Sequence, residues 1–273
     1  VPSPLAVNGF HYRFTNPPVQ GWILGLMRAD GEITNDQAAE VYPLLAKSAN
    51  WWLTVRDNNQ DGLPAYWHGN DSGWDNATIF DRTPTVTSPE ISALLVLHLE
   101  ELARLAERLG KAEEAASHAA RARSLLARML ELLWNGSSFV ALDEQGRPVN
   151  GDGDCLLMRV PMILGKRLPA EVRQAIVADL SEEGRFLAPA GFATESLRSR
   201  HYHAEGYWRG PVWPPPMLMI CSGLAEVGET DLAKEAASRF CRSVETWGFH
   251  ENFHAETGRG LCHPIYPWTP TIY

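Results

Sequence analysis

The sequence predicts an all-α fold built from antiparallel helix pairs. A motif of an apolar helix, a Gly-centred turn and an amphipathic helix recurs along the chain, and the long copies end in a tryptophan. Helical periodicity dominates, and only 138–149 suits a short β-hairpin. Helix pairs of this kind bury their apolar stripes against one another in bundles, solenoids or rings.

The helix pairs can be placed in chain order. Three long pairs are expected at 19–52, 89–134 and 211–247, and a shorter pair at 155–186. The final segment, PWTPTIY, begins one further helix.

The pair at 89–134 has clear local signals. Ser88 is a suitable N-cap, Pro89 suits the first helical position, and Gly110 ends the first helix. The apolar stripe of this helix recurs at helical spacing, at Leu94, Leu95, Leu99, Leu102 and Leu105.

The loops favour a ring of hairpins over a linear solenoid. Segments rich in acids and aromatics follow the second helix of the first and last long pairs, at 56–80 and 248–268. In a ring, all loops of this type emerge at one end and meet at one mouth, as an active site requires. A solenoid gives no reason for such a concentration of chemistry.

Composition excludes several classes of protein. The net charge of −9 over 273 residues argues against a nucleic-acid binder. No uncharged apolar run reaches the roughly 20 residues that span a bilayer, and the N-terminal segment has no signal-peptide pattern. The four cysteines form no CxxC, so they suit neither a zinc site nor a dense disulfide scaffold. We expect a soluble chain that binds neither nucleic acid nor membrane.

Three motifs carry residues suited to sugar chemistry. Asp75 follows Trp74 in DSGWDN, and a carboxyl beside an aromatic ring is suited to general-acid catalysis. Glu251, in HENF, is suited to activating a water as general base. The string EGYWRGPVW at 205–213 is typical of a sugar platform. Each motif has a plainer alternative: a turn, a surface loop and a Trp-rich plug at a helix entry, respectively.

A fourth motif suits calcium. Asp57, Asn59 and Asp61 stand at alternate positions before a glycine, like the first half of a calcium loop. Position twelve is His68 rather than glutamate, so a distant carboxylate such as Glu90 would have to complete the shell. The alternative is a solvated Asx turn.

Taken together, the motifs resemble those of glycoside hydrolase family 63, in order and over nearly the whole chain. The matching strings are PPVQGW, RDNNQDGLPAYW, DSGWDNA, GYWRGPVW, ENFHAETGRG and YPWTP. The resemblance implies an (α/α)6 toroid-type barrel and an inverting mechanism, with Asp75 as general acid and Glu251 as general base.

The resemblance and the residue types together name further site residues. The expected substrate-binding residues are Gln20, Trp67, Gly73, Trp74, Arg82, Tyr207, Trp208 and Arg209. Some family members hold a structural calcium ion in the loop that corresponds here to Asp57, Asn59 and Asp61. No cofactor is expected for the chemistry itself.

Barrels of this family have six hairpins, whereas this sequence has four and the start of another helix. We therefore expect a single, partial catalytic barrel domain over 1–273, with the missing helices supplied by the rest of a longer chain.

The expected function is that of an inverting glycoside hydrolase acting on α-linked glucosides, α-linked mannosides or other small glycosides. One alternative is a sugar epimerase or isomerase on the same barrel type, with His203 or His250 as base. Another is a helical carbohydrate-binding module without turnover. A trehalase-like enzyme lies closer in chemistry to the expected one.

Overall fold

A computed structural model of the chain describes residues 3–7, 10–31, 33–149 and 153–273. The chain divides into two compact units. The first comprises Val1–Gly73, Pro84–Trp134 and Leu142–Arg147, and the second comprises Trp74–Thr83, Asn135–Ala141 and Pro148–Tyr273. The expected single domain over 1–273 stays a prediction.

The first unit is built around one buried helix. Its strands β1 and β2 pair antiparallel, and they are followed by five helices: β1 Ser3–Val7, β2 Phe10–Phe14, α1 Gln20–Ala29, α2 Asn35–Val55, the short α3 Gly69–Ser72, α4 Pro89–Arg108 and α5 Ala112–Leu133. Helix α4 packs against α1, α2 and α5, and its predicted leucine stripe is fully buried.

Local chemistry explains how these helices begin and approach one another. Thr34 caps α2 in a capping box with Gln37, which satisfies two backbone N–H groups that the helix leaves unpaired. Helix α1 comes close to α4 because Gly21 has no Cβ; an added Cβ would lie 2.4 Å from the Cα of His98.

The second unit contains three further α-helices of two turns or more, with short strands in its loops. Its elements are 3₁₀ helices Thr78–Phe80 and Leu156–Arg167, α6 Ala170–Ser181, β3 Leu187–Ala188, β4 Gly191–Phe192, α7 Pro214–Val227, α8 Thr230–Trp247, β5 Asn252–Phe253, β6 Gly260–Leu261 and the short α9 Trp268–Ile272. Helix α7 packs against α8 and against the long 3₁₀ segment. The latter approach is so close that a Cβ on Gly223 would lie 1.9 Å from the carbonyl oxygen of Met162.

The expected fold class is confirmed, and three local features refine it. The β1–β2 pair was not expected. The first helix of the pair at 155–186 is 3₁₀ because Pro161 interrupts it and Gly165 has a non-helical backbone. The segment 138–149 turns back on itself, with a hydrogen bond from the Val149 amide to the Ala141 carbonyl. Across the described ranges, no helix has both the length and the apolar character needed to cross a membrane.

Candidate active site

Asp75 lies in a tight turn at the start of the second unit. The turn is closed by a 2.8 Å hydrogen bond from the Ala77 amide to the Trp74 carbonyl. Trp74 is buried, whereas Asp75 is half-buried.

A buried carboxylate anchors the chain just beyond this turn. Thr78, which begins the 3₁₀ helix Thr78–Phe80, donates from Oγ1 to Oε2 of Glu195 over 2.8 Å. Glu195 is fully buried, and its other oxygen accepts from the Asp154 amide at 2.8 Å and from the Ser199 hydroxyl. These three hydrogen bonds fix Thr78 relative to Glu195. Because Asp75 lies only three residues before Thr78, we expect its position to be well defined.

Glu251 lies at the entry of the β5–β6 hairpin. Its amide donates to the His263 carbonyl over 2.9 Å, and the residue is only 4% exposed. Two residues on, Phe253 exchanges two backbone hydrogen bonds with Val212, which ties the hairpin to the segment that leads into α7. The hairpin needs glycine at Gly260, since a Cβ there would lie 2.2 Å from the ring of His250.

Tyr207 connects the aromatic segment to Glu251. Its hydroxyl donates to Oε1 of Glu251 over 3.1 Å. Its backbone φ of +65° lies in the left-handed region, which costs a non-glycine residue on the order of 1–2 kcal/mol. Such a strained backbone at a site of aligned polar groups is typical of functional positions.

The carboxylates of Asp75 and Glu251 both influence the pKa of the same two tyrosines, Tyr207 and Tyr266. Burial raises the pKa of Tyr207, and the negative charges of Glu251 and Asp75 raise it further. Burial likewise raises the pKa of Tyr266, followed by the charges of Glu251 and Asp75. The charges of Asp75 and Glu251 therefore both reach Tyr207 and Tyr266, and all four residues belong to the second unit.

A stack of indole rings lies beside the turn that carries Asp75, which we call the acid turn. The ring of Trp208 stacks on Trp213 at 3.8 Å with an interplanar angle of 12°, and the ring of Trp74 lies 4.6 Å from that of Trp208, tilted by 37°. Trp268 meets Trp213 edge-on at 5.6 Å. Trp208 is buried and packs against both rings, and its predicted contact with the sugar stays a prediction.

The two arginines expected near the sugar have different surroundings. Arg209 donates from Nε to the Asn76 carbonyl over 2.7 Å and pairs with Asp81, so its guanidinium holds the acid turn. Arg82 lies in the loop after the 3₁₀ helix, and its side chain is exposed.

Three expected substrate contacts belong to the first unit. Gln20 is the exposed first residue of α1, and Gly73 ends α3 with a φ of +73°. Trp67 is 42% exposed; its ring lies under the guanidinium of Arg56 at 4.0 Å, and its Nε1 donates to Asn58.

The proposed calcium loop is also in the first unit. Asn59 donates to Oδ2 of Asp61 over 2.8 Å, and the amide of Gly62 donates to Oδ2 of Asp57 over 3.2 Å. The other oxygen of Asp57, Oδ1, is buried with no hydrogen-bond partner in the part of the chain that the structure covers. Within that part, no cluster of three or more His, Cys, Asp or Glu side chains could hold a metal ion.

Sequence reasoning did not single out four residues that contribute to this site. Asn76 and Glu195 fix the acid turn, Tyr266 feels both carboxylates, and Trp268 donates to the Glu251 carbonyl over 3.4 Å. Tyr266 and Trp268 lie in the YPWTP string, which was a usable signal. Asn76 lies in the DSGWDNA string, which was likewise a usable signal, whereas no sequence pattern pointed to Glu195, whose partner Thr78 lies 117 residues away.

Comparison with known proteins identifies a family for this chain. A family model described as the mannosylglycerate hydrolase MGH1-like glycoside hydrolase domain matches residues 11–269. The mannosylglycerate hydrolase of Rubrobacter radiotolerans is 28% identical over 220 residues, which are 74% of this chain and 46% of that protein. A periplasmic trehalase of Salmonella newport strain SL254 is 26% identical over 236 residues, which are 84% of this chain and 37% of that protein. The chain therefore spans about half the length of these relatives, or less.

Solved structures resemble the chain over almost all of its length. The GH63 mannosylglycerate hydrolase from Thermus thermophilus, in complex with glucose, has a TM-score of 0.81 at 20% identity, covering 97% of this chain and 76% of that chain. The complex of that protein with Tris and D-glycerate has a TM-score of 0.78 at 19% identity, covering 94% of this chain and 75% of that chain. At this identity the likeness shows the fold, which is the one that the helix pairs predict.

Proposed function

Because the chain belongs to the family of mannosylglycerate hydrolase MGH1-like glycoside hydrolase domains, we propose that it carries the acid–base centre of an inverting glycoside hydrolase. The family membership confirms the resemblance to glycoside hydrolase family 63. The proposed substrates are small α-linked mannosides or glucosides, including glycosides of glycerate. The relatives named mannosylglycerate hydrolase support that choice.

The observation that carries the proposal is the hydrogen bond from the Tyr207 hydroxyl to Glu251, in a segment that Asn76, the neighbour of Asp75, holds on both sides of Tyr207. The charges of Asp75 and Glu251, which are 176 residues apart (251 − 75) in the chain, also raise the pKa of Tyr207 and of Tyr266 beyond the effect of burial. Inverting glycosidases need two carboxyl groups that border one space, with room between the base and the sugar for a water.

In the proposed reaction, Asp75 donates its proton to the glycosidic oxygen as the bond to the anomeric carbon breaks. Glu251 accepts a proton from a water that attacks the anomeric carbon from the opposite face. The Tyr207 hydroxyl holds one oxygen of Glu251, which leaves the other oxygen for the water. Trp74 and Trp208 provide the apolar wall beside the acid.

Gln20, Trp67, Gly73, Arg82 and Arg209 stay proposed contributors to substrate binding. A second substrate is favoured by one comparison, since a relative is named periplasmic trehalase. We therefore include α,α-trehalose as the alternative substrate for the same two carboxylates.

A structural calcium ion in the Asp57–Asp61 loop is a separate part of the proposal. The buried and unpartnered Oδ1 of Asp57 supports it, because a cation would satisfy that oxygen. Asp57, Asn59 and Asp61 would hold the ion, which would stabilise the loop and take no part in catalysis.

The test is hydrolysis of a panel of mannosylglycerate, glucosylglycerate, trehalose and aryl α-glycosides in H₂¹⁸O, with mass analysis of the sugars. Release of free sugar that carries one ¹⁸O supports the proposal. An isomer of unchanged mass would indicate an epimerase, and binding without turnover would indicate a carbohydrate-binding module; either outcome would overturn it.

Variants assign the roles of the two acids. Asp75→Asn should abolish turnover of substrates with poor leaving groups and spare more activity on aryl glycosides, which need less protonation. Glu251→Gln should lower turnover of all substrates alike. Glu256→Gln, an exposed carboxyl of the loop that follows β5, is the matched control and should behave as the parent protein.

A further inference from the structure

The side chain of Asn76, the residue that follows the proposed acid Asp75, makes hydrogen bonds on both sides of Tyr207. Its Nδ2 donates to the carbonyl of Gly206 over 3.0 Å, and its Oδ1 accepts from the amide of Trp208 over 3.0 Å. These two backbone groups belong to the peptides on either side of Tyr207. One amide therefore fixes both peptides of a residue that is 131 positions away (207 − 76).

Tyr207 needs such support because its backbone is strained. Its φ of +65° is uncommon for a tyrosine, so the surrounding contacts must hold it there. Trp213 supplies a third contact, donating from Nε1 to the Tyr207 carbonyl over 2.8 Å. In this conformation the Tyr207 hydroxyl reaches Oε1 of Glu251.

The same segment also holds the main chain of Asn76. Arg209 donates from Nε to the Asn76 carbonyl over 2.7 Å, and its guanidinium pairs with Asp81 on the far side of the acid turn. The acid turn and the Gly206–Arg209 segment are therefore joined through both the side chain and the main chain of Asn76.

We propose that Asn76 is a positioning residue that locks Tyr207 in its left-handed conformation and thereby aims the Tyr207 hydroxyl at Glu251. The inference rests on the proposed function, in which Asp75 and Glu251 are acid and base. In this proposal Asn76, the neighbour of the acid Asp75, also orients the base Glu251 through Tyr207. Acid and base are therefore positioned by the same set of hydrogen bonds.

The two hydrogen bonds that the Asn76 side chain makes around Tyr207 suit asparagine in particular. They need one donor and one acceptor on a short side chain, and only the asparagine amide offers both at this length. Aspartate keeps the acceptor for Trp208 but sets a carboxylate oxygen against the Gly206 carbonyl. Alanine supplies neither group, so it frees both peptides of Tyr207.

The kinetic test compares Asn76→Ala with the parent protein on a hydrolysed glycoside. We expect kcat to fall about 100-fold, as for a displaced catalytic group, with KM within about threefold. Adding Tyr207→Phe to Asn76→Ala should cost little more, because the hydroxyl is already misdirected. Asn135→Ala is the matched control: the Asn135 side chain bonds within its own turn, so kcat should be unchanged.

A second readout does not depend on activity. The stacked rings of Trp208 and Trp213 should give a near-ultraviolet circular dichroism signal that weakens in Asn76→Ala and stays in Asn135→Ala. If Asn76→Ala does not fold, Asn76→Asp replaces it and should also lower kcat, because the carboxylate loses the bond to Gly206 and repels its carbonyl oxygen.

The outcomes separate the two claims. If Asn76→Ala keeps the kcat of the parent protein, or if Asn76→Ala and Tyr207→Phe lower kcat independently of each other, the positioning role is wrong. The proposed function is tested separately by Asp75→Asn. If the parent protein hydrolyses no glycoside, the proposed function fails, and the dichroism decides the role of Asn76. An unchanged spectrum in Asn76→Ala would then overturn it, and a weakened one would support it.

Discussion

The Tyr207 hydroxyl donates to the Glu251 carboxylate over 3.1 Å from a backbone held in the left-handed region. This contact joins the aromatic GYWRGP segment to the buried acid of the β5–β6 hairpin. It gives Glu251 one fixed donor and so orients the carboxylate before any substrate arrives.

Removal of the Tyr207 hydroxyl should impair catalysis. A hydrogen bond to a charged group contributes about 1.5–3 kcal/mol, so kcat/KM of Tyr207→Phe should fall about 10- to 100-fold. Tyr202→Phe is the control, because the Tyr202 hydroxyl donates to the exposed Glu256 over 3.2 Å. Steady-state kinetics on one substrate would decide; equal losses in the two variants would contradict a special role for Tyr207.

The buried ion pair of the first unit should matter for stability. Arg56 and Asp71 lie 2.7 Å apart with side chains 3% and 2% exposed. Asp71→Ala leaves a buried guanidinium without its partner, so urea unfolding should show a loss of about 3–5 kcal/mol. Glu131→Ala removes an exposed pair with Arg128 and should cost at most about 1 kcal/mol. A similar small loss for both variants would refute the assignment.

Glu90 should make the stability depend on pH. Burial raises its pKa to about 8, although the hydrogen bond from Tyr66 opposes that rise. The folded chain therefore binds a proton that the unfolded chain releases near pH 4.5, so this stabilisation is complete below that pH and is lost as the pH rises through 8.

Glu90→Gln keeps an acceptor for Tyr66 and removes the charge. Its stability relative to the parent protein should increase between about pH 5 and 8, with a slope of up to about 1.4 kcal/mol per pH unit in denaturant titrations, and level off above about pH 8. Glu113→Gln, an exposed change on α5, should show no such slope. A flat difference for Glu90→Gln would mean that Glu90 is ionised in the folded protein.

Calcium binding should stabilise the first unit. Millimolar calcium should raise the Tm of the parent protein and leave Asp61→Asn unchanged, because that variant removes one of the two carboxylates of the loop. Magnesium at the same concentration is the control for ionic strength. A parental Tm that calcium does not change would remove the ion from the account.

How far the sequence predicts the fold depends on how local the signals are. The pair at 89–134 follows from a proline, a glycine and a leucine stripe, all within one helix or its ends, and the structure has α4 and α5 there. Ser88 takes the N-cap position as expected, but its side chain makes no capping hydrogen bond. At Leu156–Arg167 the sequence predicts the helix but not its 3₁₀ geometry: Pro161 and Gly165 interrupt the α-helical pattern, and the close approach of Gly223 to Met162 is a long-range contact that no local pattern records.

The site divides in the same way. Asp75 and Glu251 stand out because their motifs are rich in aromatics and match a family in order. The contribution of Asn76 depends on peptides 130 or more residues away, and that of Glu195 on Thr78 at a distance of 117 residues. Contacts of such length become visible only when the chain is folded.

The configuration of the first product tests the central claim most directly. Proton NMR of the anomeric region, recorded during the first minutes of hydrolysis of an α-linked substrate, distinguishes the two anomers before they equilibrate. If Asp75 protonates the leaving oxygen while Glu251 activates water on the opposite face, the β-anomer must appear first and the α-anomer only later through mutarotation. Initial formation of the α-anomer would contradict the inverting assignment and require a covalent intermediate at this site.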